Sequence, residues 1–473
     1  MKYNLINNFK KYIWILISVP FLINFINNLI QGKITIFNYY YESKFLIFIF
    51  LLNLSFYLIL SKYINKSLKL ESLSLSLCYF LSSYFLFDYL ALFLLKDVLY
   101  TYSFYIVSIF WYVLIFFKNK SIKEHIFITF IYISALLINN RFFDYISNLK
   151  KYIQLNTDVP VQWFPMAQNI HSKNYFFSFT NNLIDGHGLY LSHIQSTLFK
   201  INFPLQEFQF VRLNSNIFLF FFLLLIIDST KGLKSRISVS ILYLSIVLNS
   251  DWITYLFIDS LMLEGIVSFI FAVFIFNLNK FSSFKELNFK SILFFIMFGL
   301  LIFSKQFISL LTIFVFIFLL LFKKNLNTLV LLPMYALNRI YAANFTPEIN
   351  NFEYFDGTSP FRIFLDFIFL RNLEFTNIFK IFNQFLIDKP TSLLIILFFG
   401  INFYIIYKNK TTFMSTFLLS LFLANLFLVI ILFITYWKDF GIQSSYRYIM
   451  NTFHIILLSI ATCLDLFEKD IES

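Results

Sequence analysis

The chain has 473 residues, 59% of them hydrophobic and only 13% charged, with a formal net charge of +12. So little charge cannot clothe a water-soluble globule of this length, and the mean hydropathy of +0.75 excludes a soluble fold. A nucleic-acid partner is excluded too, because the basic residues sit mainly in short loops between apolar runs, where the positive-inside rule puts them.

Apolar runs long enough to cross a bilayer recur from end to end, and they are continuous rather than alternating, which excludes a β-barrel. The expected fold is therefore all-α: a polytopic integral membrane protein of roughly fourteen transmembrane helices. The excess of Phe, Ile, Leu, Asn and Lys over Ala, Gly and Val is partly the codon signature of an AT-rich genome. Nine glycines are few for helices that approach closely through small residues.

In chain order, spans are expected near 12–31, 44–61, 72–94, 99–117 and 125–140. After a long polar interval come 212–228, 236–250, 259–278, 291–304, 307–322 and 326–340. A second polar interval precedes 390–407, 412–436 and 447–466. The run Tyr12–Leu29 follows a basic start but precedes no small-residue cleavage site, so it reads as a retained first helix. Cys78 and Cys463 lie inside apolar segments and imply neither a disulfide framework nor a metal site.

With the N-terminus (Lys2, Lys10, Lys11) cytoplasmic, alternate short loops carry Lys62, Lys66 and Lys69, then Lys118, Lys120 and Lys123, then Lys231, Lys234 and Arg236, then Lys280, Lys285 and Lys290, then Lys323 and Lys324, then Lys408 and Lys410. The opposite short loops carry fewer basic residues. Both long intervals fall on that outer side, and both chain ends fall inside, as in a bacterial plasma (inner) membrane. No fixed-period repeat is evident. The expected organisation is 1–124 as N-terminal membrane helices, 125–466 as a membrane domain with outer loops 141–211 and 341–389, and 467–473 as a short cytoplasmic tail.

The first outer loop holds the chemistry-bearing residues. Asp158 opens DVPVQWFPMAQNI, and Leu191, Ile194, Leu198 and Ile201 follow at the spacing of an amphipathic interfacial helix. The residues alone allow two readings of Asp158. It is either a solvated loop carboxylate before a proline turn or a base that takes a hydroxyl proton at the membrane surface. His171, His187 and His193 are spaced 16 and 6 apart, which matches no compact metal site; DGHG at 185–188 reads as a turn. In the second outer loop, FRIFLDFIFLRNLEFTNIFKIF reads as an interfacial helix, either a lid or a seal on the outer end.

Asp259 and Glu264 open one span, and carboxylates there are either dipole-favoured helix caps or functional groups. Arg212, Lys305 and Arg447 all fall at outer membrane boundaries, where a cation either snorkels or meets a phosphate. Asp88, within the third span, has no assigned role.

The order of these features resembles the GT-C superfamily of membrane glycosyltransferases, which includes protein mannosyltransferases and aminoarabinose transferases. The stretches carrying the resemblance are DVPVQWFPMAQNI, IDGHGLYLSHIQSTLFKI, FVRLNSNIF, the Asp259–Gly265 segment, FGLLIFSKQFISLL and SSYRY at 444–448. The resemblance covers roughly 125–466 and departs from the family in two ways. Val159 and Pro160 follow Asp158 where a second acidic residue is common, and the catalytic loop follows the fifth helix rather than the first.

The resemblance implies transfer of a sugar from a polyprenyl-phosphate donor to a lipid, glycan or protein acceptor on the non-cytoplasmic face. Asp158 would be the general base, and Lys305, Arg447 and Arg212 would hold the donor phosphate. Asp259, Glu264, His187 and Tyr448 would support the acceptor or a divalent cation; no motif calls for any other cofactor. Two other classes fit a chain of this kind: a flippase or transporter of lipid-linked saccharide, and an O-antigen polymerase or ligase.

Overall fold

The computed structural model describes residues 73–94, 208–250, 263–281, 289–304, 306–345, 360–371, 373–436 and 445–472, with scattered positions besides. These residues are almost wholly helical, with no strand among them. In order they form α1 (Leu73–Leu94), α2 (Phe208–Ser229), α3 (Leu233–Asn249), α4 (Leu263–Phe281) and α5 (Phe289–Gly299). Then come α6 (Gln306–Lys323), α7 (Leu331–Phe345), α8 (Pro360–Ile368), α9 (Thr376–Ile387), α10 (Lys389–Tyr407), α11 (Phe413–Thr435), α12 (Ser445–Ile449) and α13 (Phe453–Glu472). Short 3-10 turns at Leu300–Phe303, Leu326–Val330 and Met450–Thr452 interrupt the helical runs.

Among the described residues, three stretches are long and apolar enough to cross a membrane: Lys389–Tyr407, Phe413–Thr435 and Ser445–Glu468. Several shorter apolar helices accompany them. The expected spans at 12–31 and 125–140, and most of 44–61 and 99–117, lie outside the described residues.

The chain divides into two compact units. One contains the described residues of Leu223–Phe257 and Asn350–Ser473; the other contains those of Ser43–Phe222 and Ile258–Ile349.

In the second of these units, α1 packs on α4 and α5, and α5 packs on α7. The contact is largely aromatic. The ring of Phe274 stands 5.5 Å from Phe294 and 5.6 Å from Phe298, and Phe85 stands 5.8 Å from Phe303. Large rings fill space between helices that few glycines bring together. Gly299 is where close approach matters, since a Cβ there would lie 3.0 Å from Leu331 Cδ2 and 3.1 Å from Met334 Cγ.

In the other unit, α13 is the buried centre, packed by α3, α10 and α11. Helix starts follow local capping chemistry. Asp388 accepts from the Thr391 backbone N–H at 3.1 Å at the head of α10, and Thr412 and Ser415 form a reciprocal capping box at the head of α11.

Hydrogen bonds tie the ends of these helices in pairs. At one end, Ser250, after α3, donates to Asp388 at 2.7 Å, and the amide of Asn377 on α9 donates to the Phe433 carbonyl of α11. At the other end, Asp465 Oδ1 accepts from the Lys231 and Gly232 backbone N–H groups, each at 2.8 Å. Beside it, Glu468 accepts from the Ser235 N–H at 2.9 Å and from the Ser235 hydroxyl at 2.7 Å. The two carboxylates thus cap the N-terminus of α3 from 233 or more residues away. The helix carrying them runs to Glu472, with Phe467 and Glu468 buried.

Helix ends show how a glycine-poor chain closes its helices. Lys324 after α6 and Asn409 after α10 have φ of 49° and 52°, the left-handed cap position usually given to glycine. Asn409 sits in a cap whose 6→1 bond runs from Lys410 N–H to the Ile405 carbonyl. Lysine has a Cβ to crowd there, so Lys324→Gly is expected to raise stability by about 1 kcal/mol. Thermal unfolding of the detergent-solubilised protein checks this, and a fall in midpoint contradicts it.

The same device splits the expected interfacial helix of the second outer loop into α8 and α9. Leu370 has φ of 52°, and Arg371 N–H donates to the Asp366 carbonyl at 2.8 Å, which closes α8. On α9, Asn377, Ile381 and Phe385 are buried, while Phe379, Phe382 and Leu386 are exposed. An apolar outer face of this kind suits a helix lying at a lipid interface.

Candidate functional site

Of the residues expected to act, Asp158, His187, Asp259 and Lys305 lie outside the described residues, as do His171 and His193. Arg212 falls on α2 and Glu264 on α4; their side chains, and that of Asp88 on α1, are outside the described set. Arg447 and Tyr448 are described in full, on α12. By chain position, Arg212 and Glu264 belong to one compact unit and Arg447 and Tyr448 to the other.

Around Arg447 the geometry is well defined. The five-residue α12 is held to α11 by Asn425, whose side-chain N–H groups reach the Tyr448 carbonyl (3.2 Å), the Ile449 carbonyl (3.1 Å) and Thr452 Oγ1 (3.0 Å). This diversion of two carbonyls explains the 3-10 turn at Met450–Thr452 between α12 and α13. The Tyr448 ring stands edge-on to Phe433 at 5.9 Å, and α9 packs against α12. Arg447 is half-buried, and Ser445 is fully buried.

From Arg447 a line of polar side chains continues into α13. Asn451 and His454 follow at spacings of four and three, Asn451 in the 3-10 turn and His454 in the first turn of α13. Asn451 and His454 are each 1% exposed, and the His454 ring lies 6.4 Å from Tyr243 of α3. Sequence reasoning missed both. An asparagine in an AT-rich, apolar chain carries little signal alone; its spacing from Arg447 was the sign available.

Elsewhere in this unit, buried polar groups hold helices together. Asn402 of α10 and Ser459 of α13 exchange hydrogen bonds at 3.1 and 3.3 Å, and the Cys463 thiol contacts the same amide. Cys78 and Cys463 are both free and buried. Among the described residues no group of three or more His, Cys, Asp or Glu side chains is disposed to hold a metal ion.

Comparison with protein-family models, with curated proteins and with solved structures finds no match.

Proposed function

We propose that this chain is a polytopic membrane glycosyltransferase of GT-C type, with roughly fourteen spans and cytoplasmic termini. It would move a sugar from a polyprenyl-phosphate donor to an acceptor at the outer face. The observation that carries the reading is the order of Asp158, Arg212, Lys305 and Arg447 with their flanking motifs, the first within an outer loop and the others at span boundaries, all on the side that the charge asymmetry puts outside.

Asp158 takes the acceptor hydroxyl's proton as the oxygen attacks the anomeric carbon, and the bond to the lipid phosphate breaks with inversion. Arg447, Lys305 and Arg212 carry the charge of the departing phosphate, with arginine suited by its two-pronged geometry. Asp259, Glu264, His187 and Tyr448 support the acceptor or a divalent cation. The packing of amphipathic α9 against α12, the helix that carries Arg447, supports the reading, because a lipid-linked substrate reaches a cation near such a helix from the interface.

A polymerase or ligase of lipid-linked glycan is the second reading, favoured by that same pairing of a late outer-loop helix with an arginine.

The test is Asp158→Asn in a cell lacking the native protein. Loss of a surface glycan at normal membrane abundance is expected; an unchanged glycan profile contradicts the base role.

A further inference from the structure

Buried amides in an apolar bundle are normally committed to neighbours, because a polar group without a partner is costly where water is absent. Asn402 meets this rule through Phe398, Ser459 and Cys463, and Asn425 satisfies its donors through α12. Asn451 does not. It is 1% exposed, and neither its side-chain nitrogen nor its side-chain oxygen has a hydrogen-bond partner. Among the described residues it is the one asparagine in that condition at both atoms.

Its position gives the orphaned amide a meaning. Asn451 follows Arg447 by four residues, in the 3-10 turn that joins α12 to α13, and is not among the residues that Asn425 holds. A carboxamide offers two donors and an acceptor. Phosphate, which only accepts, leaves the amide oxygen without a partner, whereas a sugar hydroxyl both donates and accepts.

We propose that Asn451 is a ligand-recognition residue that reads hydroxyls on the saccharide of the lipid-linked substrate, four residues on from the arginine that takes its phosphate. The assignment rests on the glycosyl-donor reading above and adds a specificity determinant to it. A site built to hydrogen-bond a hydroxyl discriminates strongly against a ligand lacking it, since the site's own polar atoms then go unpaired.

The experiment uses the full chain in lipid nanodiscs, with decaprenyl phosphate and the same lipid carrying a single hexose or pentose as probes. Wild-type protein is expected to bind at least one glycosylated lipid more tightly than the plain one. Asn451→Leu is expected to remove about tenfold of that preference while the thermal midpoint holds or rises, because the substitution removes an unpaired polar group. Arg447→Gln should weaken binding of plain and glycosylated lipids alike.

Three results overturn the proposal and leave the donor reading standing. They are wild-type protein that binds glycosylated lipid no more tightly than plain lipid, a preference that survives in Asn451→Leu, and a lowered midpoint in Asn451→Leu, which marks an amide partnered within the fold. Wild-type protein that binds none of the probes ends the donor reading and this assignment together.

Discussion

Glu468→Ala is expected to lower unfolding free energy by about 2 kcal/mol, and adding Asp465→Ala to bring the loss to about 3 kcal/mol. Both carboxylates serve backbone N–H groups at the first turn of α3, where the helix dipole favours negative charge. Without them, those donors lie at a buried helix junction with no acceptor from α13. The second loss is smaller than the first because the two groups share one task.

Gly232 makes the idea testable by a double-mutant cycle. A Cβ on Gly232 would fall 1.9 Å from Glu468 Oε2 and 2.2 Å from its carboxyl carbon, so Gly232→Ala must drive the carboxylate off its partners. Gly232→Ala should therefore cost nearly as much as Glu468→Ala, yet little when made in the Glu468→Ala background. Unfolding of the four proteins in detergent measures the coupling. Additive losses would show that glycine and carboxylate act separately.

Arg447→Gln is expected to reduce sugar transfer by about 100-fold, with Arg447→Lys intermediate. The proposed leaving group is a phosphate, and a single buried or half-buried donor aimed at developing charge is typically worth that much. Lysine keeps the charge and loses the fork. Because α12 is fixed by Asn425 through the backbone of Tyr448 and Ile449 and not through the Arg447 side chain, the fold should survive the change. Single-turnover transfer at saturating acceptor reads the effect, and an Arg447→Gln protein as fast as wild type removes this residue from the phosphate site.

The helices easiest to read in the sequence are those with local punctuation. The expected spans 390–407 and 412–436 differ by one residue at most at each end from Lys389–Tyr407 and Phe413–Thr435. There, Asp388, Pro390 and the Thr412/Ser415 pair start the helices, and the Lys408–Lys410 stretch closes the first. The expected span 447–466 is broken at Met450–Thr452 because Asn425, on another helix, takes up its carbonyls; no local residue announces that.

The Asp465 and Glu468 clamp was equally hidden, since its partners lie at 231–235 and two carboxylates near a chain end look like solvated charge. The polar series Arg447, Asn451 and His454 was half legible. Arg447 stood out beside its tyrosines, but whether Asn451 bonds a neighbouring helix, as Asn402 does, depends on tertiary packing. Asp158 rests on sequence alone.

The most direct test of the central claim is donor cleavage. Full-length protein in nanodiscs, incubated with a polyprenyl-phosphate-linked sugar and acceptor-bearing membrane extract, is predicted to release free polyprenyl phosphate as the sugar moves to the acceptor. Asp158→Asn should slow that release by about 100-fold or more. A donor that stays intact with wild-type protein, or is consumed equally fast by Asp158→Asn, would contradict the assignment.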